Sequence, residues 1–246
     1  MRSFLIGVDE VGRGALAGQV YAAAVILRNE DLRAVPTYFL SKLKDSKRLS
    51  PNKRLSIYTA SLEYKLIFGV GVATVKEIDQ FNILDATMMA MARAINQCVL
   101  IAKRCLLRNN LDVQVFYDIA VDGISNPKNF VVPSSGNYHY RTIKSGDTYI
   151  PEISCASIIA KVLRDKEMTE LHEQFPVYDF IRNKGYGTKK HMLALKENGP
   201  CKVHRLSFKP IMYVANVDED SIEKGNNYSS LVKDFAIFDA SLCLPV

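Results

Sequence analysis

Residues 82–108 carry apolar side chains at helical spacing, and an apolar segment of strand character, 113–121, follows them. The spacing predicts a long helix that covers a sheet with its apolar stripe. A second strand-like segment, residues 3–9, opens the chain. The long helix allows the later strand to return parallel to the first, because parallel strands need a crossover of this kind. The chain is therefore predicted to be α/β in class.

Glycine, proline and polar residues divide the rest of the chain into shorter elements. We predict further strands at 20–27, 65–74 and 139–143, a loop at 124–138, and helices at 51–62, 156–174 and 188–197. Ser50 is the predicted N-cap of the first of these helices, and Pro51 its first residue. The order of elements predicts a mixed sheet with helices on its faces. Such sheets bind ligands at the carboxyl ends of their strands.

Composition and apolar patterning exclude several other classes of protein. The chain has 246 residues, 48% of them hydrophobic and 24% charged, which is typical of globular proteins. Its longest apolar run, Val20–Leu27, is well short of the ~20 residues of a membrane helix. Asp9 and Glu10 interrupt the N-terminal apolar stretch before it could act as a signal peptide. The five cysteines include no C-x-x-C pair and predict buried, reduced thiols. We expect a cytoplasmic protein.

The formal charge of +6 is distributed unevenly. Acidic residues outnumber basic ones in residues 216–246, so residues 1–215 form a more basic body. A basic body favours a polyanionic partner, most often nucleic acid. Lysine and arginine are concentrated between residues 182 and 209, among the aromatic residues Tyr178, Phe180, Tyr186 and Phe208. This pattern suits phosphate contacts combined with base or sugar stacking. The alternative is a solvated face with a few core aromatics.

Carboxylates end two of the predicted strands. Asp9 and Glu10 close the first, and Asp122 closes the strand at 113–121, with Asp118 four residues earlier on the same strand face. If the two strands are neighbours, Asp9, Glu10 and Asp122 meet at one sheet edge, where like charges need cations. An all-oxygen ligand set suits Mg²⁺ or Mn²⁺. The alternative is a strand end that emerges into solvent.

Three glycines follow the acid pair, at positions 12, 14 and 18. They nearly match the dinucleotide fingerprint, but one residue too many precedes the third glycine, and a strand-like run follows. The two preceding acids would also repel a pyrophosphate. We therefore favour a tight turn whose backbone groups, together with Arg13, approach a ligand closely.

Several segments resemble motifs of one family in order and content. D-E-V-G-R-G-A-L-A-G at 9–18 resembles the D-E-A-G-R-G-P-L-A-G signature of bacterial ribonuclease HII. The other matching segments are D-S-K-R-L-S at 45–50, N-I-L-D-A-T-M at 82–88, P-E-I-S-C-A-S-I-I-A-K-V at 151–162, K-G-Y-G-T at 184–188 and H-R-L-S-F at 204–208. The resemblance spans residues 4–213 and implies a ribonuclease H-like mixed five-stranded sheet flanked by helices, with a C-terminal helical extension.

The resemblance also implies a site. Four carboxylates would be catalytic and bind metal, with Mg²⁺ or Mn²⁺ as cofactor and two ions during catalysis: Asp9, Glu10, Asp122 and Asp147. Substrate contacts are implied for Gly12, Arg13, Gly14, Ser46, Lys47, Lys184, Tyr186, Arg205 and Ser207. In the family the G-R-G backbone reads a ribose 2′-OH and the tyrosine senses the RNA–DNA junction. Asp165 is expected to support the site without binding metal.

The implied activity is that of a metal-dependent endoribonuclease. It would hydrolyse the RNA strand of RNA–DNA hybrids and nick duplex DNA 5′ to embedded ribonucleotides, leaving 5′-phosphate and 3′-hydroxyl ends. We expect these nucleic acids as partners, no membrane, and a monomer. Residues 1–215 are expected to form the catalytic domain with a helical substrate-binding part, and 216–246 a tail of unknown role. A non-catalytic hybrid-binding protein of the same fold is an alternative, against which the four intact carboxylates argue.

A few positions depart from the family pattern. Val11 replaces the usual alanine, and Ala15 and Gln19 replace prolines, so the turn loses rigidity without losing a chemical group. Lys144 is displaced by one residue in the segment that resembles K-G-D, which weakens the case for its phosphate role. Asn183 stands where the family often has histidine.

Overall fold

A computed structural model of the chain describes residues 2–27, 35–43, 49–108, 114–123 and 137–208. Ser46 and Lys47, most of the predicted loop at 124–138, and the predicted tail at 216–246 lie outside these residues. The strands are β1 (Arg2–Val11), β2 (Val20–Ile26), β3 (Ile67–Ala73), β4 (Val115–Asp122) and β5 (Asn137–Ile143). The helices are α1 (Thr37–Lys42), α2 (Pro51–Glu63), α3 (Val75–Arg108), α4 (Gly146–Tyr149), α5 (Pro151–Gln174), α6 (Phe180–Asn183) and α7 (Lys189–Asn198).

The five strands form one mixed sheet in the order β3-β2-β1-β4-β5. β1 pairs antiparallel with β2, and β2 with β3, whereas β4 lies parallel to both β1 and β5. The parallel return of β4 beside β1 after a long helix is thereby confirmed. It follows from the crossover, because α3 carries the chain back along the sheet before β4 begins.

Helices cover both faces of the sheet. On one face α3 packs on Ile6, Val8 and neighbouring apolar residues of β1, β2 and β4. It approaches β3 closely, since a Cβ on Gly71 would lie 1.9 Å from the Ala90 carbonyl oxygen. On the other face α1, α2 and α5 enclose a second core around Ala23 and Val25 of β2. Two apolar cores separated by one sheet are the expected layering of an α/β protein.

The long helix α3 begins earlier than predicted and contains a break. Asn82 has φ of 69° and ψ of 167°, so the backbone leaves the helical conformation there. Its side-chain Oδ1 accepts hydrogen bonds from the amides of Leu84 and Asp85, which makes it the cap of the second helical segment. The first segment starts with a capping box, in which Thr74 and Glu77 exchange side-chain and backbone hydrogen bonds.

Other boundaries show which local signals are strong. Ser50 caps α2 as predicted, accepting from the Lys53 amide at 3.4 Å, and Pro51 is the first helical residue. α5 begins at Pro151 rather than at 156, because the proline again occupies the first turn.

Within the described residues, Cys98, Cys105, Cys155 and Cys201 are free thiols. None of the helices in the described ranges combines the length and apolarity needed to cross a membrane.

Candidate active site

The acids that end β1 and β4 lie side by side. Val8 is in register with Val121 across the parallel pair, so Asp9 and Asp122 occupy the next position on their strands. Glu10 follows on the opposite face of β1. The structure therefore brings together Asp9, Glu10 and Asp122 at the carboxyl end of the sheet, where sheets of this class bind ligands.

Burial and neighbouring negative charges shift the pKa values of the Asp9 and Glu10 carboxyls at this end of the sheet, the acidic corner. Asp9 is 5% exposed, and its Oδ1 accepts a hydrogen bond from the Glu10 amide at 2.7 Å. Burial, followed by the charges of Glu10 and Asp122, raises the pKa of Asp9 well above its usual value. Burial also raises the pKa of Glu10, although Arg13 opposes the shift from 3.3 Å. Ionised carboxylates held this way are stabilised by a nearby cation.

The fourth predicted carboxylate comes from the short helix after β5. The chain turns through a left-handed Ser145 and enters α4, whose Gly146 amide donates to Asp122 Oδ1 at 2.6 Å. Asp147, the next residue, is buried. The bond from Gly146 thus fixes the backbone that carries Asp147 against the end of β4. Lys144 lies in the turn before α4.

Asp118 lies apart from this corner. It is opposite Leu5 in the β1–β4 register, four residues before Asp122. Its carboxylate accepts from Arg141 at 2.9 Å and contacts His139 at 3.2 Å. Partial burial would raise the pKa of Asp118, but these hydrogen bonds outweigh it and the pKa is lowered. The negative charge of Asp118 is therefore balanced by Arg141 on the neighbouring strand β5.

The donor set at the corner consists of carboxylate oxygens, which suits a hard divalent cation. Within the described residues, no three His, Cys, Asp or Glu side chains are already close enough together to hold a metal ion. Mg²⁺ keeps several waters and uses one or two carboxylates together with substrate phosphates. The arrangement fits an ion that takes its remaining ligands from water and from the phosphates of the substrate.

The glycine-rich loop leaves β1 directly beside the acids and is held by two buried arginines. Arg205 donates to the carbonyl oxygens of Arg13, Ala15 and Gly18 at 2.8–2.9 Å. Arg164 donates to the Ala17 and Gln19 carbonyls at 3.2 Å. Gly12 has φ of +96°, and a Cβ there would lie 2.2 Å from Arg164 Nε. The glycine is required both by its backbone conformation and by this close packing.

The same loop is joined to the turn that carries Lys184 and Tyr186. The Leu16 amide donates to the Gly185 carbonyl at 2.7 Å, and Arg164 also donates to the Lys184 carbonyl at 2.9 Å. The Arg164 guanidinium lies 5.3 Å from the centre of the Tyr186 ring. A Cβ on Gly14 would be 4.0 Å from the edge of that ring. Gly14 and Tyr186, distant in sequence, therefore border the same space.

Two predicted substrate contacts have their side chains engaged inside the protein instead. Arg205 is 2% exposed and holds the loop as described, because burying a guanidinium requires that its donors be used. Ser207 Oγ donates to Asp79 Oδ1 at 2.7 Å, and the Leu206 and Ser207 amides donate to the same carboxylate. Their positions point to a role in holding the loop and the C-terminal segment. Arg13 is exposed and pairs with Glu10 at 3.3 Å, whereas Lys184 is partly buried, with its Nζ 3.5 Å from the Asp165 backbone oxygen.

A pair of histidines lies beneath the Tyr186 turn. The sequence pointed to His204 only as part of the H-R-L-S-F segment, and it gave no signal for His191. His191 Nδ1 lies 2.9 Å from the Tyr186 carbonyl oxygen and must donate to it, because a carbonyl only accepts. His191 Nε2 therefore accepts from His204 Nε2 at 3.0 Å, and His204 Nδ1 accepts from the Cys201 amide. Both rings are neutral in this chain of bonds. Burial lowers the pKa of both histidines, that of His204 to about 4.

Arg164 and Asp79 are the other residues that sequence reasoning missed. Arg164 precedes Asp165 in a family-like segment, and that was the only signal for it. The dinucleotide alternative finds no support, since the glycine-rich loop runs into β2 rather than into a helix.

Comparisons with known proteins identify the family of the chain and agree with its fold. The sequence model of the family described as Ribonuclease HII matches residues 6–211. A Ribonuclease HII from Burkholderia lata is 44% identical over 206 residues, 83% of each chain. The structure of ribonuclease H2 from Pyrococcus horikoshii OT3 has a TM-score of 0.54 at 21% identity, covering 95% of this chain and 99% of that one. Bst-RNase HIII in complex with Mn²⁺ has a TM-score of 0.57 at 15% identity, covering 95% and 70%. The chain belongs to the ribonuclease HII family.

Proposed function

We propose that the acidic corner formed by β1, β4 and α4 is where this ribonuclease HII cuts its substrate. The enzyme is an endoribonuclease that hydrolyses the RNA strand of RNA–DNA hybrids and nicks duplex DNA 5′ to embedded ribonucleotides. The single observation that carries the assignment is the parallel register, with Asp9 and Asp122 adjacent beside the glycine-rich loop. The raised pKa of the buried Asp9 carboxyl supports a cation-dependent role for this corner.

In this proposal Asp9, Glu10, Asp122 and Asp147 hold divalent metal, Mg²⁺ or Mn²⁺, with two ions during catalysis. When bound, the metal activates the attacking water and stabilises the leaving 3′-oxygen. The chain itself supplies rigidity. Asp122 is oriented by the Gly146 amide at 2.6 Å, and Asp9 by the Glu10 amide at 2.7 Å. Carboxylates fixed in this way need little rearrangement at the moment of reaction.

The glycine-rich loop is proposed to recognise the ribonucleotide. Backbone groups at Gly12, Arg13 and Gly14 border the acid pair, and the 2′-OH is the group by which RNA differs from DNA. Arg164 and Arg205 fix the loop by donating to its carbonyl oxygens. Tyr186, stacked above Arg164 at the edge of the same space, is proposed to contact the sugar at the RNA–DNA junction.

The assignment is tested with duplex DNA that contains one ribonucleotide, incubated with Mg²⁺. The intact protein should nick 5′ to the ribonucleotide and leave all-DNA duplex uncut. Asp9→Asn and Asp122→Asn should abolish nicking but retain duplex binding, because each removes a proposed metal ligand and no phosphate contact. Asp118→Asn is the matched control, since this acid lies on β4 away from the corner, and it should retain most activity. Activity above about a tenth of wild type in the Asp9 or Asp122 variant would show that the ligands are misassigned.

A further inference from the structure

Three cations from separate elements lie around Asp165, two of them at its carboxylate and one at its backbone oxygen. Lys161 Nζ, on α5, lies 2.6 Å from Asp165 Oδ1, and an Arg54 guanidinium nitrogen, on α2, lies 3.9 Å from Oδ2. Lys184 Nζ, from the turn after α6, lies 3.5 Å from the Asp165 backbone oxygen. We call Arg54, Lys161 and Lys184 the basic triad.

The basic triad carries more positive charge than a structural ion pair needs. Asp165 supplies one negative charge against three cations. Burial lowers the pKa of Lys184, and the positive charges of Lys161 and Arg164 lower it further, against the attraction of Asp165. Arg164 uses its own donors on carbonyl oxygens of the glycine-rich loop and the adjoining turn. The side chains of Arg54, Lys161 and Asp165 remain 15–27% exposed, so the cluster reaches solvent.

Helix α5 relates the triad to the acidic corner. Ser157 lies near enough to Asp9 to lower the pKa of its carboxyl, and Lys161 and Asp165 follow at intervals of four residues on the same helix face. At ~1.5 Å per residue, they lie about 6 and 12 Å along the helix from Ser157. One nucleic-acid strand advances ~3.4 Å per nucleotide along a duplex axis. A strand that ran along α5 would cover this distance in about two to four nucleotides.

We propose that the basic triad binds a backbone phosphate of the substrate duplex, about two to four nucleotides from the cleaved bond. Asp165 holds the cations in position and competes with the phosphate for them. This proposal rests on the proposed function, since the phosphate belongs to the strand being cut. It assigns a phosphate contact to Arg54, which lies outside the matching segments, and to Lys161, for which the resemblance implied no substrate contact.

The test measures binding of a short RNA–DNA hybrid by fluorescence anisotropy in EDTA, across a series of salt concentrations. Lys161→Gln and Arg54→Gln should each weaken binding and reduce the log–log salt slope by about one. Lys161→Arg keeps the charge and should restore the slope. Asp165→Asn should strengthen binding, because the competing carboxylate is gone. Lys166→Gln is the matched control: Lys166 is an exposed lysine of the same helix, paired 3.9 Å from Glu170, and its loss should leave the slope unchanged.

Two results would overturn the phosphate site. One is an unchanged slope in the folded Lys161→Gln and Arg54→Gln proteins, with only a lower melting temperature, which would indicate a purely structural ion pair. The other is weaker binding in Asp165→Asn. Nicking by the intact protein distinguishes the two proposals. If the intact protein nicks the substrate but the Lys161→Gln and Arg54→Gln variants show no change in salt slope, only the phosphate site is refuted. A protein that binds with the predicted slopes but does not cut refutes the proposed function alone.

Discussion

At the scale of single residues, Tyr186 lies between the proposed substrate-reading loop and the core beneath it. Its ring is half-buried, with the Arg164 guanidinium on one side and the edge of the Gly14 position on another. A ring in this position can pack against a deoxyribose, whereas a 2′-OH would crowd it. We therefore predict that the Tyr186 side chain favours DNA immediately after the ribonucleotide.

Tyr186→Ala should slow nicking of a duplex with one ribonucleotide at least several-fold, since stacking contacts are worth about 1–3 kcal/mol. The loss on a continuous RNA–DNA hybrid should be smaller, because no junction exists there. Single-turnover rates on the two substrates provide the measurement. Tyr138→Ala, at an exposed tyrosine of the edge strand β5, is the control and should affect neither substrate. Equal losses on both substrates in a folded Tyr186→Ala protein would contradict junction sensing.

Gly12 allows a comparison between backbone strain and close packing. Gly12 and Gly199 both have positive φ, but a Cβ at Gly12 would collide with Arg164, whereas nothing lies within 4 Å of one at Gly199. Gly199→Ala should cost about 1 kcal/mol of unfolding free energy and little activity. Gly12→Ala should cost more stability and at least tenfold in kcat, because it displaces the arginine that holds the loop. Denaturant unfolding and kcat would be measured for both. Similar behaviour of the two variants would mean that Arg164 moves aside freely.

At the scale of elements, the pair His191 and His204 links α7 to the turn of Tyr186. Unfolded histidine binds a proton near pH 6.5, whereas burial holds the folded pKa of His204 at about 4. Protons therefore bind preferentially to the unfolded chain between these values. The stability contributed by the neutral pair is present above pH 6.5 and is lost as the pH falls towards 4.

The melting temperature should accordingly fall by several degrees between pH 7 and pH 5. His204→Gln should lower the melting temperature at pH 7 and flatten this decline, since the titrating group has been removed. His139→Gln, at an exposed histidine on β5, should leave the decline as steep as in the wild type. Calorimetric scans of the three proteins at matched ionic strength would give the melting temperature at each pH and so test this prediction. An equally steep decline in His204→Gln would assign the effect to other groups, such as His191, whose pKa burial also lowers.

The elements themselves were predictable where a local signal coincided with burial. The sequence indicated α2 because Ser50 and Pro51 form a standard helix start, and the parallel return of β4 because a long helix precedes it. It did not indicate the first turns of α3, whose capping box at Thr74 precedes a short segment interrupted at Asn82. Short helices such as α4 carry too few residues for a periodic pattern to emerge.

At the scale of the whole molecule, the candidate site divides into a predictable and an unpredictable part. The acids Asp9, Glu10 and Asp122 were predictable because they end apolar strands and the strand order follows from the crossover. The two arginines that hold the glycine-rich loop were not predictable from the sequence. Arg164 and Arg205 act on carbonyl oxygens about 145 and 190 residues away in sequence, and no local pattern marks a side chain that bonds to distant backbone.

Those two long-range contacts set an order of events during protein synthesis. Chains emerge from the ribosome N-terminus first, at ~5–20 residues per second, and contacts between distant residues form late. The acid pair and the glycine-rich loop appear in the first 20 residues, but the guanidinium that holds Arg13, Ala15 and Gly18 belongs to residue 205. A nascent chain can therefore assemble much of its sheet before Arg205 holds the glycine-rich loop. We therefore expect the proposed discrimination between ribose and deoxyribose to arise only after residue 205 has been translated.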